Sequence, residues 1–271
     1  MTSLIRFALA SLLLVAIPAV AQKFEPQVGQ AGKDVIWVPT PDEVVDRMLT
    51  MAQVGPNDFH MDLGSGDGKI VIAAAKRGAK ALGIEYNPDM VKLGQDNAQK
   101  AGVSDRASFR RADIFQTDFS QATVITLYLL PALNMKLRPL ILSMKPGTRV
   151  VSHSFTMEDW EADEISSMDG RRAYFWLVPA NVMGTWALDA GGQKTEMALE
   201  QTFQKVNGTI TLGPVQGGLR EARMRGPQIS FAYVDGSGVR RDFTGQVNGR
   251  QMQGSFRDDK GQEGRWSATK K

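Results

Sequence analysis

The chain has 271 residues, 42% of them hydrophobic and 23% charged, with a formal net charge of +3. That length supports one large or two smaller domains with real cores, and the composition excludes a disordered chain. Cysteine is absent, which excludes disulfides and thiolate chemistry, and a mild positive excess is no nucleic-acid footprint without a clustered patch.

Arg6, the apolar run from Phe7 to Val20 and Ala19-Val20-Ala21 ahead of Gln22 together read as a cleavable leader over residues 1–21. The run is short for a membrane span. The expectation is an exported protein, periplasmic or secreted, with no stable membrane insertion after cleavage. An uncleaved leader would leave the protein cytoplasmic or anchored by its N-terminus. Residues 22–36 are polar and contain glycine, and read as a linker.

Thr40-Pro41-Asp42-Glu43 predicts a helix start, with Thr40 as N-cap, Pro41 as the first helical residue and Glu43 closing a capping box. Val44, Val45, Met48, Leu49 and Ala52 continue at helical spacing. Strand and helix patterns then alternate: strand 59–63, helix 69–76, strand 79–84, helix from Asn87-Pro88 to Gly102, strands 107–111 and 123–129, helix 133–144, strand 149–154. Asp169-Gly170 predicts a closing hairpin between strands 165–168 and 173–178. This alternation means a parallel sheet with helices on both faces, an α/β Rossmann-like domain over residues 37–180, with ligands at the carboxyl ends of its strands.

Beyond Ala180 the pattern changes to short alternating strands separated by Asn207-Gly208, Asp235-Gly236, Asn248-Gly249 and Lys260-Gly261. Residues 183–269 therefore predict an antiparallel meander of seven or eight strands, closed into a small β-barrel, with Trp186, Leu199, Phe231, Phe243, Phe256 and Trp266 inside.

The richest segment for chemistry is Met61-Asp62-Leu63-Gly64-Ser65-Gly66-Asp67-Gly68, where a strand ends and a helix begins. Its glycines allow a tight turn and close backbone approach to a ligand. A dinucleotide fingerprint would need its third glycine at Lys69, and no P-loop spacing is present. Glu85, at the end of the second strand, can accept hydrogen bonds from ribose hydroxyls. Asp113, after the third strand, can accept from an exocyclic adenine amine while the Ile114 N–H donates to the ring. The glycine loop and the two acids point jointly to a mononucleotide-like ligand.

From Trp37 to about Val178 these motifs resemble the class I, seven-strand methyltransferases that use S-adenosyl-L-methionine. The resemblance implies that Asp62, Gly64 and Gly66 hold the amino-acid part of that cofactor, Glu85 its ribose, and Asp113 with Ile114 its adenine. Trp37-Val38-Pro39-Thr40-Pro41 and Gly83-Ile84-Glu85-Tyr86-Asn87-Pro88 narrow the resemblance to the small protein-lysine methyltransferases of mitochondria and their bacterial relatives. In that group the segment before the first helix lies over the cofactor, which would bring Thr40 near its carboxylate. Base-modifying amino-methyltransferases carry an Asn/Asp-Pro-Pro-aromatic tetrad where this chain has Tyr128-Leu129-Leu130-Pro131.

The expected acceptor is therefore a protein lysine, not a nucleic acid. A small-molecule O- or N-methyltransferase and a non-catalytic exported binding module stay open as alternatives. Tyr128 and His153 are candidate acceptor-site residues; the alternatives are a strand-end tyrosine packing on the next helix and a structural surface histidine. His60 reads as packing, and two histidines without cysteine make no metal spacing.

Overall fold

The computed structural model describes residues 24–271, so the expected leader over residues 1–21 lies outside the described residues. The first helix, α1 (Asp42–Met51), packs ahead of a seven-stranded sheet. In chain order the sheet unit runs β1 (Phe59–Leu63), α2 (Lys69–Lys76), β2 (Lys80–Glu85), α3 (Pro88–Lys100), β3 (Ala107–Arg111), β4 (Val124–Leu127), α4 (Pro131–Leu142), β5 (Arg149–His153), β6 (Glu164–Met168) and β7 (Arg171–Leu177).

The sheet order is β3-β2-β1-β4-β5-β7-β6. All neighbours from β3 to β5 are parallel, while β7 runs antiparallel between β5 and β6. β1 and β4 are buried at nearly every position, as strands covered on both faces must be, and β1 carries two buried polar residues, His60 and Asp62. Strand order reverses at β1/β4, and the crevice outside the carboxyl ends at that point is where a ligand enters such a sheet. Asn87 caps α3 as its sequence predicts: its Oδ1 accepts from Asp89 N–H at 2.8 Å, and Pro88 takes the first turn.

Three local expectations fail. Asn207-Gly208, expected as a turn between strands, lies inside the strand Lys205–Leu212 and pairs with Glu200 and Leu199. α1 begins at Asp42 with Pro41 at the cap position, and no side chain caps it, so Thr40 is not the N-cap. The Thr40 hydroxyl lies 3.2 Å from His153 Nδ1 instead, a partner 113 residues away. Glu43 closes no capping box and lies 3.7 Å from Arg171. Residues 22–36 are also more than a linker. Between Gly29 and Trp37 the chain folds into a small hairpin, closed by Gly29 N–H to Trp37 O, Trp37 N–H to Gln30 O and Gly32 N–H to Val35 O, each at 2.9 Å.

The second sheet comprises β8 (Gly184–Ala190), β9 (Gln193–Thr202), β10 (Lys205–Leu212), β11 (Val215–Gly218), β12 (Arg220–Arg225), β13 (Gln228–Val234), β14 (Arg240–Asn248), β15 (Gln251–Asp258) and β16 (Glu263–Lys270). β9 pairs with β10 as well as β8, which closes eight of these strands into a barrel. β11 folds back on β10 as a ninth. All six residues expected inside are buried in one core. Phe231 and Phe243 stack at 4.7 Å, and Trp266 meets both edge-on.

The barrel docks on the sheet at the end away from the β1/β4 crevice. Ala180 N–H donates to Gly226 O at 2.9 Å, Pro227 packs on Gly147 just before β5, and Phe203 stacks on Trp160. A Cβ on Gly226 would come within 3.1 Å of the Gly147 backbone, so the two segments meet almost main chain to main chain.

Candidate active site

A cavity of about 270 Å³ opens at the carboxyl ends of β1, β2 and β4, and every residue lining it lies between Gln30 and Phe155. Its floor is the loop after β1. Gly64, Gly66 and Gly68 there all have positive φ, at 87°, 52° and 84°, a region that side-chain-bearing residues avoid. A Cβ on Gly66 would also lie 2.7 Å from the Trp37 indole nitrogen. The glycine both makes the turn and leaves room for the segment above it.

Each acid accepts from nearby backbone N–H groups. Glu85 Oε2 accepts from Gly66 N–H at 3.0 Å and Oε1 from Asn87 N–H at 2.9 Å. Asp113 Oδ1 accepts from Phe115 N–H at 2.9 Å, and its Oδ2 pairs with the Lys33 ammonium at 3.0 Å. The Phe115 N–H, and after it Lys33, holds the Asp113 carboxyl below the usual carboxylate range.

Asp62 is nearly completely buried, and burial pushes its carboxyl up to about 7 against the opposing pull of the Thr126 hydroxyl. Thr126 Oγ1 donates to Asp62 Oδ1 at 2.7 Å, and His60 Nε2 reaches the same hydroxyl at 2.8 Å. Thr126 gives its one proton to Asp62, so His60 donates through Nε2–H. Burial lowers the His60 pKa to about 3, so it is neutral here. His60 thus does more than pack: it orients the hydroxyl that orients Asp62.

The structure brings Thr40, Asp62, Gly64, Gly66, Glu85, Asp113, Ile114 and Tyr128 to one cavity. His153 stays apart. It is 2% exposed, lodged against the Tyr128 ring and Thr40 and outside the cavity wall. Burial, with a smaller contribution from Arg171, lowers its pKa to about 4 and keeps it neutral.

Sequence reasoning missed the hairpin residues, Lys33 above all, and Phe155. The available signal for the hairpin was the pair Gly29 and Gly32 within a short stretch. Phe155 follows a strand end on the ligand side of the sheet, a position where side chains enter the crevice.

The cavity suits S-adenosyl-L-methionine. A glycine loop in which a Cβ would meet Leu129, Trp37 or Phe109 comes together with the buried Asp62 carboxyl, Glu85 and Asp113, the groups expected for the cofactor's amino group, ribose and adenine, and Ile114, Met90 and Leu133 add apolar lining. Ser65 Oγ is buried in the same loop with no protein partner. Fold and site define an S-adenosylmethionine-dependent methyltransferase of the seven-strand class.

Comparison with known proteins narrows this. Residues 62–164 match the model of the ANTKMT methyltransferase domain. A protein-lysine N-methyltransferase of Saccharolobus islandicus is 44% identical over 138 residues, spanning 50% of this chain and 86% of the relative. The adenine nucleotide translocase lysine N-methyltransferase of Mus musculus is 33% identical over 119 residues, spanning 43% of this chain and 52% of the relative. Among solved structures, a Salinibacter ruber protein described as an RNA methyltransferase, in complex with S-adenosyl-L-homocysteine, is 50% identical. It superposes with a TM-score of 0.52 over 54% of this chain and 96% of that one. The chain belongs to the methyltransferase family represented by the Saccharolobus enzyme.

Proposed function

We propose that the protein transfers the methyl group of S-adenosyl-L-methionine to the side-chain amine of a lysine in another protein. The observation that carries this reading is the extent of the match to the archaeal protein-lysine N-methyltransferase, which runs through most of that enzyme's length. The wall at the acceptor side agrees with it. Tyr128, Leu129, Leu130 and Phe155 present apolar and aromatic surface, suited to the stem and cationic head of a lysine.

The cofactor supplies an electrophilic methyl on a sulfonium. The acceptor nitrogen must arrive unprotonated, with its lone pair in line with the methyl–sulfur bond. The new C–N bond forms as that bond breaks and its electron pair returns to sulfur. Positioning supplies most of the acceleration in such a displacement, and the rigid loop between β1 and α2 and the Glu85 anchor serve it.

RNA is the second reading, because the Salinibacter neighbour is described as an RNA methyltransferase. One experiment separates the two. Purified protein is given tritiated cofactor and a total cell extract, untreated, protease-treated or nuclease-treated. Label on protein, traced by mass spectrometry to lysine nitrogen, supports the proposal. Label that survives protease and is lost to ribonuclease replaces it with the RNA reading. Label only in small molecules points to a metabolite methyltransferase. Binding of cofactor without transfer points to a binding module.

We also propose export, from the leader pattern in residues 1–21. N-terminal sequencing of protein recovered outside the cytoplasm should begin at Gln22. Among the described residues no helix is long and apolar enough to cross a membrane.

A further inference from the structure

β5 ends at His153 in an unusual way. Ser154 has a φ of +64°, and Phe155 N–H donates back to His153 O at 2.8 Å. This three-residue turn with positive φ is rare and strained for a residue bearing a side chain. Ser154 N–H donates to Arg172 O at 2.7 Å, so the neighbouring strand holds the strained residue in place.

The turn has a specific effect on side chains. His153 stays buried while Phe155 reaches the cavity wall, and both pack on Tyr128. Their ring centroids lie 4.0 Å and 6.2 Å from that of Tyr128. His153 Nδ1 meanwhile faces the Thr40 hydroxyl. One side chain outside the cavity therefore touches two residues that line it, from two separate chain segments. His153 Nε2 is buried with no partner. A buried polar atom left unpaired is costly, and a phenylalanine would fill the same space without that cost.

We propose that His153 is a positioning residue for methyl transfer: its ring sets Tyr128 beside Phe155 as the wall that receives the acceptor, and its Nδ1 fixes Thr40 over the cofactor. The inference rests on the lysine-transfer reading for the identity of the acceptor, but the two contacts can be tested without it. Replacing the imidazole in two ways separates them. His153→Phe keeps a ring under Tyr128 and removes the bond to Thr40. His153→Asn keeps a polar atom near the Nδ1 position and removes the ring.

Three measurements on the full chain decide the matter. S-adenosylhomocysteine is titrated by calorimetry. Tritium transfer to extract protein is followed against extract concentration. The Tyr128 ring resonance, one of four tyrosines, is followed by NMR on 13C-tyrosine protein, assigned with Tyr128→Phe. In His153→Asn the extract concentration for half-maximal transfer should rise at least fivefold and the Tyr128 resonance should move. Its S-adenosylhomocysteine Kd should stay within twofold of the parent. In His153→Phe the Kd should weaken threefold or more, with half-maximal transfer within twofold.

Parallel losses in both variants, tracking a fall in Tm, would make His153 a packing residue only and overturn the proposal. Parent-like values in both variants would overturn it too. If the parent moves no label onto protein, the acceptor reading fails. The calorimetry and the Tyr128 resonance then decide the His153 assignment by themselves.

Discussion

The main-chain N–H of Gly66 donates to Oε2 of Glu85 at 3.0 Å, so the turn after β1 is tied to the end of β2 before any ligand arrives. The same carboxylate accepts from Asn87 N–H at the start of α3. Each of its oxygens keeps a further lone pair for a ribose hydroxyl. Glu85 therefore joins three chain segments and lines the cavity at their junction, where the resemblance implies a ribose.

Glu85→Ala removes both the anchor and the ribose acceptor. S-adenosylhomocysteine binding should weaken by about 2–4 kcal/mol, roughly 30- to 900-fold in Kd. Titration calorimetry measures it directly. A Kd within threefold of the parent would show that Glu85 is not at the ribose.

Asp62 makes cofactor binding depend on pH. Its folded pKa, about 7, lies above the ordinary value of 3.8. The empty native protein therefore holds a proton there that the unfolded chain has released. The stability this contributes is complete below the ordinary value and is lost as pH rises through about 7. An ammonium bound beside Asp62 favours the ionised carboxylate. Affinity for S-adenosylhomocysteine should accordingly rise between about pH 5 and pH 7, by up to about tenfold per unit. Asp62→Asn should flatten that profile and make the cofactor-free protein less sensitive to rising pH. A parent profile already flat over that range would refute the assignment.

Lys33 ties the hairpin over the cavity to Asp113, and its ammonium also lies 5.4 Å from the centroid of the Tyr86 ring. This pair is solvent-accessible, so it should govern exchange more than stability. Lys33→Met should release S-adenosylhomocysteine severalfold faster, with little change in Tm. Added salt should speed release from the parent and leave the variant nearly unaffected. Stopped-flow displacement at two salt concentrations tests both statements.

Phe243 sits at the centre of the barrel's aromatic stack, against Phe231, Tyr233, Phe256 and Trp266. Phe243→Ala should destabilise the barrel by about 3–5 kcal/mol. Because the barrel docks away from the cavity, S-adenosylhomocysteine affinity should remain that of the parent below the barrel's unfolding transition. Loss of affinity in step with barrel destabilisation would show that the two units are coupled at the site.

The alternating architecture and many of the residues that line the cavity were legible in the sequence alone, because the signals that carry them are local. Apolar runs, glycine punctuation and the Asn87-Pro88 cap are all of this kind. β1, α2 and β3 accordingly have the bounds that their residues predict. The glycine loop, Glu85 and Asp113 stood out because each follows a strand end at a spacing that the sheet itself imposes. The barrel was legible as a meander, since alternation and turn dipeptides are local too, though Asn207-Gly208 lies within β10 and makes no turn.

The remaining features depend on partners far away in the chain, and no local pattern encodes them. Thr40 has a capping residue's chemistry, yet its hydroxyl turns to His153. Residues 29–37 carry no periodic pattern, and their hairpin lies over the cavity, with Lys33 paired to Asp113 80 residues on. The closing β9–β10 pairing and the place where the barrel docks follow from how whole sheets meet. His153 marks the boundary between the two kinds of information. Its position at a strand end was plain, but its buried side chain packs against the ring of Tyr128, just past β4, beside the positive φ of Ser154.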